Sequence, residues 1–381
     1  MDWSASDPDA LRRAGAELLS LALIDSRNRL LALFALDDEA AFARRTALEA
    51  AWFQEWWIAR HVQRQRGEAC DANAPRLASI EPRLDDWHGG PDAALPDAPT
   101  VRALMAATLE TTLELLAMVG DDGDAAALHV YRNALLHEDR LGERLAQALR
   151  PAAPPARVER EPVWLPARRW RLGSEPDAGF TPHNERWAHE VAVPEFEIDA
   201  QPVSWARYVE FAADGGYDRR ELWSDAGWAW AVAQERRAPR HVEQMQGAVL
   251  LQGRDERAGL KRAAAGQPAM HLSRHEAEAW CRWAGRRLPT EPEWEQAATL
   301  ATSRGFVWGD VFEWVAGSAR AWPGAPPAAP GCLDPIPPAQ AQAVLRGASF
   351  ASAPRQRHPK ARRFAPADAD TMFCGFRSCA L

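Results

Sequence analysis

The stretch "LLHEDRLGERL", residues 135–145, sets one imidazole, His137, into a run whose spacing predicts a helix. Residues i and i+4 share a helical face about 5–6 Å apart at Cβ, so two imidazoles there can grip one cation. The position four residues after His137 holds Leu141, which has no lone pair to offer. A packing reading stands beside the metal reading. Ala134, His137, Leu141, Leu145 and Ala148 form an apolar seam at helical spacing. In that seam His137 would be a buried neutral imidazole bonded to a carboxylate or a carbonyl. Glu143 would cap the helix or pair with Arg140 or Arg144 at the surface.

The segment "SAPRQRHPKARRFAPADADTMFCGFR" gathers Arg355, Arg357, His358, Lys360, Arg362 and Arg363 in a chain of net charge −8. Facing a cleft, such a cluster suits carboxylates, which Arg binds in a two-pronged fashion. The alternative is a solvated basic loop whose arginines pair with acidic helices. Other chemistries lack their residues. No G-x-S-x-G supports a Ser/His/Asp hydrolase, and no C-x2-C pair supports a zinc finger. Gly173-Ser174-Glu175 is no phosphate loop, so no nucleotide cofactor is expected.

The elements that must position these residues fall into two halves. The chain has 381 residues, enough for two domains of ordinary size. Residues 1–150 are rich in Ala, Leu, Arg and Glu, and their periodicity predicts helices near 8–36, 40–66, 98–120 and 124–149. Four such helices suggest a bundle with one long crossover. Residues 151–162 are Pro-rich and charged and read as a linker. Residues 163–381 are dense in Trp, Gly and Pro. Short strands and long loops are expected there, with one clear helix at 273–285. Ser273 and Glu276 form its capping box, and Thr290 and Glu293 announce a second short helix. Eighteen Trp against three Tyr point to a compact part stitched by indole N–H groups.

The acidic balance, with a pI near 5.8, excludes a dedicated nucleic-acid binder. No run of 18 apolar residues suggests a membrane span. The five cysteines are sparse and odd in number, which fits a reduced, cytoplasmic protein.

Several separated motifs carry a resemblance. "RRLPTEPEWEQAA", "WGDVFEW", "VLRGASF" and "GFRSCAL" follow the order and wording of the formylglycine-generating-enzyme-like, or sulfatase-modifying-factor, fold. "RLGSEPDAGF…NERWAHEV" and "GGYDRRELWSDAGWAW" resemble the ergothioneine-synthase group, most closely its selenoneine-synthase branch. "WFQEWWIARHVQRQRG" and "LHEDRLGE" are similar to the DinB-like helical domain of those enzymes.

The resemblance implies an α+β chain, a DinB-like four-helix bundle (1–150) followed by a loop-rich, C-type-lectin-like mixed domain (163–381). It implies a non-haem Fe(II) on three histidines. It also implies small-molecule partners, a betaine (hercynine) and a thiol or selenol, joined with the help of O₂. The implied ligand positions are Glu49, His137 and Leu141 in this chain, so only His137 and Glu49 remain as metal-ligand candidates. The choice between an iron oxidoreductase and a metal-deficient binding or regulatory module of the family stays open at this point. For the betaine, the tail residues Arg355, Arg357, His358, Arg362 and Arg363 are the carboxylate candidates. Trp223, beside Trp228 and Trp230, could wall the quaternary ammonium, with Asp225 offsetting its charge. The competing reading makes these indoles core and Asp225 a turn cap. Formylglycine generation itself needs reactive cysteines after the "RGAS" strand, and "RGASFASAPRQRHPK" has none. Arg346 and Arg377 read as buried scaffold.

Overall fold

The computed structural model describes residues 3–121, 124–254, 259–333, 335–338 and 342–381. The N-terminal half is helical: α1 (Pro8–Arg12), α2 (Ala16–Phe34), α3 (Ala41–Gln54), α4 (Leu84–Gly89), α5 (Ala98–Val119) and α6 (Ala125–Leu149). The ends of α5 and α6 match the sequence expectation because their caps are local. Asp97 accepts from the Thr100 amide and Asp124 from the Ala127 amide.

The expected single helix over 8–36 is broken at 13–15. There the Asp121 carboxylate, from a distant loop, accepts the Glu17 amide at 2.8 Å and caps α2 from outside. The expected helix over 40–66 also ends early. A π turn at Glu55–Ala59 closes α3, and the Arg60 carbonyl then bonds the Leu77 amide at 2.9 Å instead of continuing the helix. The short helix α4 interrupts the long connection.

α2 lies along α6 and α5, and α3 packs on α5 and α6. Their apolar faces form two clusters, one around Leu30, Leu48, Leu141 and Leu145, the other around Leu19, Leu23, Phe53 and Leu135. A buried polar chain ties these four helices. Arg27 pairs with Glu138, Gln54 donates to Glu138 at 2.7 Å, and Thr112 donates to Gln54 at 3.2 Å. Every member is satisfied, which makes such a network specify register.

Residues 151–162 carry neither helix nor strand, and Arg157 there pairs with Asp310. Beyond them come β1 (Val163–Leu165), β2 (Arg168–Leu172), β3 (His189–Val193), β4 (Phe196–Ile198), α7 (Trp205–Ala213) and α8 (Asp225–Ala233). Next are β5 (Val242–Gln244), β6 (Val249–Gln252), β7 (Leu260–Ala263), α9 (Arg274–Trp283) and α10 (Glu291–Leu300). Last come β8 (Phe312–Ser318), β9 (Ala343–Arg346), β10 (Arg362–Ala365) and β11 (Cys374–Phe376). The main sheet has the order β10-β9-β8-β11, with only β8 and β11 parallel. β1–β4, β2–β3 and β5–β6–β7 make small antiparallel sheets around it. α7 and α8 were not foreseen; each spans only nine residues.

Both expected capping boxes are present, at Ser273/Glu276 and Thr290/Glu293. Indoles stitch this half as expected: Trp294 donates to Glu313 and Trp314 to the Leu272 carbonyl. Arg346 and Arg377 are fully buried beside Glu291, Glu295 and Glu313. Gly347 turns the chain out of β9 at φ 81°, where a Cβ would sit 3.0 Å from the Trp294 ring. That turn launches residues 347–363 across α6.

Candidate functional site

α6 is the floor of the site. It carries His137, Arg140, Leu141, Glu143 and Arg144 to the pocket, and turns Asp139 to another side, toward α2 and the segment after β9. α3 brings Glu49 to the same place. His137 stacks on Phe53 with ring centroids 4.2 Å apart. Its Nε2 lies 3.6 Å from a Glu49 oxygen and has no hydrogen-bond partner. Burial, reinforced by Arg140 and Arg144, lowers its pKa to about 3, so the imidazole is neutral. The Glu49 carboxylate pairs with Arg144.

Leu141 is buried in the apolar cluster with Leu145 and Leu149. It is core, as the packing reading has it. Among the described residues, no group of three His, Cys, Asp or Glu side chains is placed to hold a metal ion. The residues at this face therefore do not fit an iron centre: one imidazole and one carboxylate, the latter engaged by a guanidinium, are one donor short of the three-ligand facial set of a non-haem iron site.

The surface role expected of Glu143 is corrected. It is buried and accepts from Ser349 at 2.9 Å, from Ser352, and from Arg363 at 3.0 Å. Two hydroxyls from the turn after Gly347 and a guanidinium from β10 thus dock on α6. Asp139 does the same work one turn earlier. It accepts two bonds from Arg355, at 2.6 and 2.8 Å, one from Gln356 and one from Ser26. Arg355 also reaches Asp25 at 2.7 Å.

The tail cations separate by role. Arg355 is a structural tether rather than a free carboxylate ligand. Arg362 is buried, bound to Glu291 and to the Asn184 carbonyl, and is scaffold. Arg357 donates to the Phe350 carbonyl, and burial lowers its pKa. His358 contacts Asp9 at 3.3 Å, and burial lowers its pKa to about 4. Arg363 alone of the five borders the His137 pocket. Trp223 is core, its indole donating to the Gly216 carbonyl at 2.9 Å. Asp225 opens α8 at the surface beside Arg220. Neither lines the pocket, which corrects their expected role. Arg140 and Arg144 were missed as site residues. Their signal was available, since they lie three and seven residues past His137 on the same helical face.

The pocket is an open cleft of about 260 Å³. The carboxylates Glu49 and Glu143 and the guanidiniums Arg140, Arg144 and Arg363 line it. His137, Leu141 and Met372 supply its less polar wall. Mixed charge of this kind suits a small ligand that carries both signs.

Residues 150–310 match the sulfatase-modifying factor enzyme 1-like domain family. The chain is 30% identical over 323 residues to the hercynine oxygenase of Mycolicibacterium thermoresistibile, covering 77% of this chain and 69% of that protein. It is 28% identical over 399 residues to the hercynine oxygenase of Mycolicibacterium smegmatis, covering 82% and 85% respectively. A shorter match, 32% over 171 residues, joins it to the formylglycine-generating enzyme of Streptomyces coelicolor, covering 42% of this chain and 54% of that one. Taken with the α+β architecture, these likenesses run through both halves of the sequence. The chain belongs to the hercynine oxygenase, or ergothioneine-synthase-like, family.

Proposed function

We propose that this chain is a metal-independent binding member of its family, which holds a hercynine-like betaine in the pocket beside His137. The observation that carries this is Leu141, a core residue at the position where the family resemblance expects an iron-binding imidazole. The remaining pocket chemistry favours a zwitterion. The Arg144–Glu49 and Arg363–Glu143 pairs that line the pocket, with Arg140 beside them, would open to the ligand, the guanidiniums toward its carboxylate and the carboxylates toward its quaternary ammonium. The volume of about 260 Å³ suits a ligand of amino-acid size.

In this reading residues 1–150 are a DinB-like four-helix bundle, 151–162 a linker and 163–381 the formylglycine-generating-enzyme-like domain. A thiol or selenol has no bond to form here without iron and O₂. The sparse, odd-numbered cysteines suit a reducing, cytoplasmic setting.

Titration calorimetry with hercynine tests the proposal. One saturable site is expected, unchanged by a chelator and weakened on the order of tenfold by Arg363→Met, the loss of one charged hydrogen-bonding partner. Heats that never saturate would defeat it, as would binding that the chelator abolishes.

A further inference from the structure

A second cavity, of about 60 Å³, lies where α1 and α6 meet the segment after Gly347. One water needs roughly 10–15 Å³ of such space, so there is room for a few waters or one small oxyanion. Most guanidiniums in its wall are neutralised. Arg12 pairs with Glu185, Arg355 with Asp139, Arg362 with Glu291 and Arg363 with Glu143.

Arg132 differs. It is 9% exposed and borders the cavity. Its Nη2 donates to the Ala14 carbonyl at 2.8 Å, and its buried Nε has no partner. Among the described residues no carboxylate pairs with it, and burial alone lowers its pKa. Leu11, Leu135 and Phe180 form the apolar part of the wall. A guanidinium held in apolar surroundings without a counter-ion attracts an anion far more strongly than one in water.

We propose that this cavity is an oxyanion-binding site built on Arg132, distinct from the betaine pocket beside His137. The anion is a carboxylate or phosphate group held by the Arg132 guanidinium, whose unused, buried Nε–H would turn toward the cavity to donate. Arg140 and Arg363 border both cavities. The oxyanion therefore has two possible sources, a free anion or the carboxylate of a ligand that reaches across from the outer pocket. The site does not depend on the betaine reading.

Thermal unfolding of the full chain in inorganic phosphate, with ionic strength fixed by chloride, tests it. The wild type is expected to show a saturable rise in Tm. Arg132→Met is expected to fold at least as stably without phosphate, since it removes an uncompensated buried charge. Its phosphate midpoint should be weaker on the order of tenfold. Arg132→Lys, which keeps the charge but loses the fork, should fall between the two. A wild type with no saturable rise overturns the proposal, and so does an unchanged midpoint in both variants. Adding hercynine separates the sources: competition with phosphate assigns the site to the ligand's carboxylate, and independent binding assigns it to a free anion. Phosphate binding without hercynine binding would sink the betaine reading alone.

Discussion

Burying Leu141 contributes roughly 1.5–3 kcal/mol to the helical core, where an imidazole would have offered a lone pair to the pocket. The face was legible in the sequence down to this residue, because helical spacing alone puts 137 and 141 together. The partners that hold the face were not. Arg355 stands out in the sequence as part of a basic cluster, but its partner Asp139 lies 216 residues away, and no spacing rule reaches that far. The pair is almost fully buried. Arg355→Ala therefore leaves Asp139 with only Ser26 and Gln356, and a loss of about 3–5 kcal/mol is expected from urea unfolding. A change below about 0.5 kcal/mol would show that the tether carries no weight.

Elements were legible where their stop and start signals are local. The capping boxes of α9 and α10 follow from four consecutive residues each, and both form. α2 starts late because its cap comes from Asp121, which local reading cannot supply. α9 also carries a buried acid with a measurable consequence. Glu276 accepts from Tyr217 at 2.8 Å and from the Ser273 amide and hydroxyl, both at 2.8 Å. Burial raises its pKa to about 7 despite these bonds. An unfolded glutamate titrates near about 4.3. The fold thus keeps the proton longer than the unfolded chain does. The stabilisation is complete below about pH 4.3 and is lost as pH rises through about 7. Tm should fall between pH 5 and 7.5 (a window of about 2–3 units around that value), and Glu276→Gln should flatten the fall. Parallel curves for wild type and variant would contradict this origin.

At the scale of the whole molecule, the helical face and the segment after β9 make one site. Glu143, Asp139, Glu185 and Glu68 of the two halves meet Arg363, Arg355, Arg12 and Arg186 across it. The α+β division and the basic tail were readable from composition and motif order. Which arginine is tether, which scaffold and which pocket wall depended on burial and pairing, and these exist only in the folded chain. Trp223 and Asp225 show the same limit, since a Trp-rich segment reads alike whether its rings face a ligand or a core. The central claim is that this site binds without a metal, and iron stoichiometry after anaerobic Fe(II) loading in the presence of hercynine tests it most directly. The wild type is expected to retain less than about a tenth of an equivalent per chain after desalting, because bound metal follows the ligand set. Leu141→His combined with Glu49→His should raise that value. Close to one equivalent of iron in the wild type, with O₂ consumed when a thiol or selenol is added, would contradict the account.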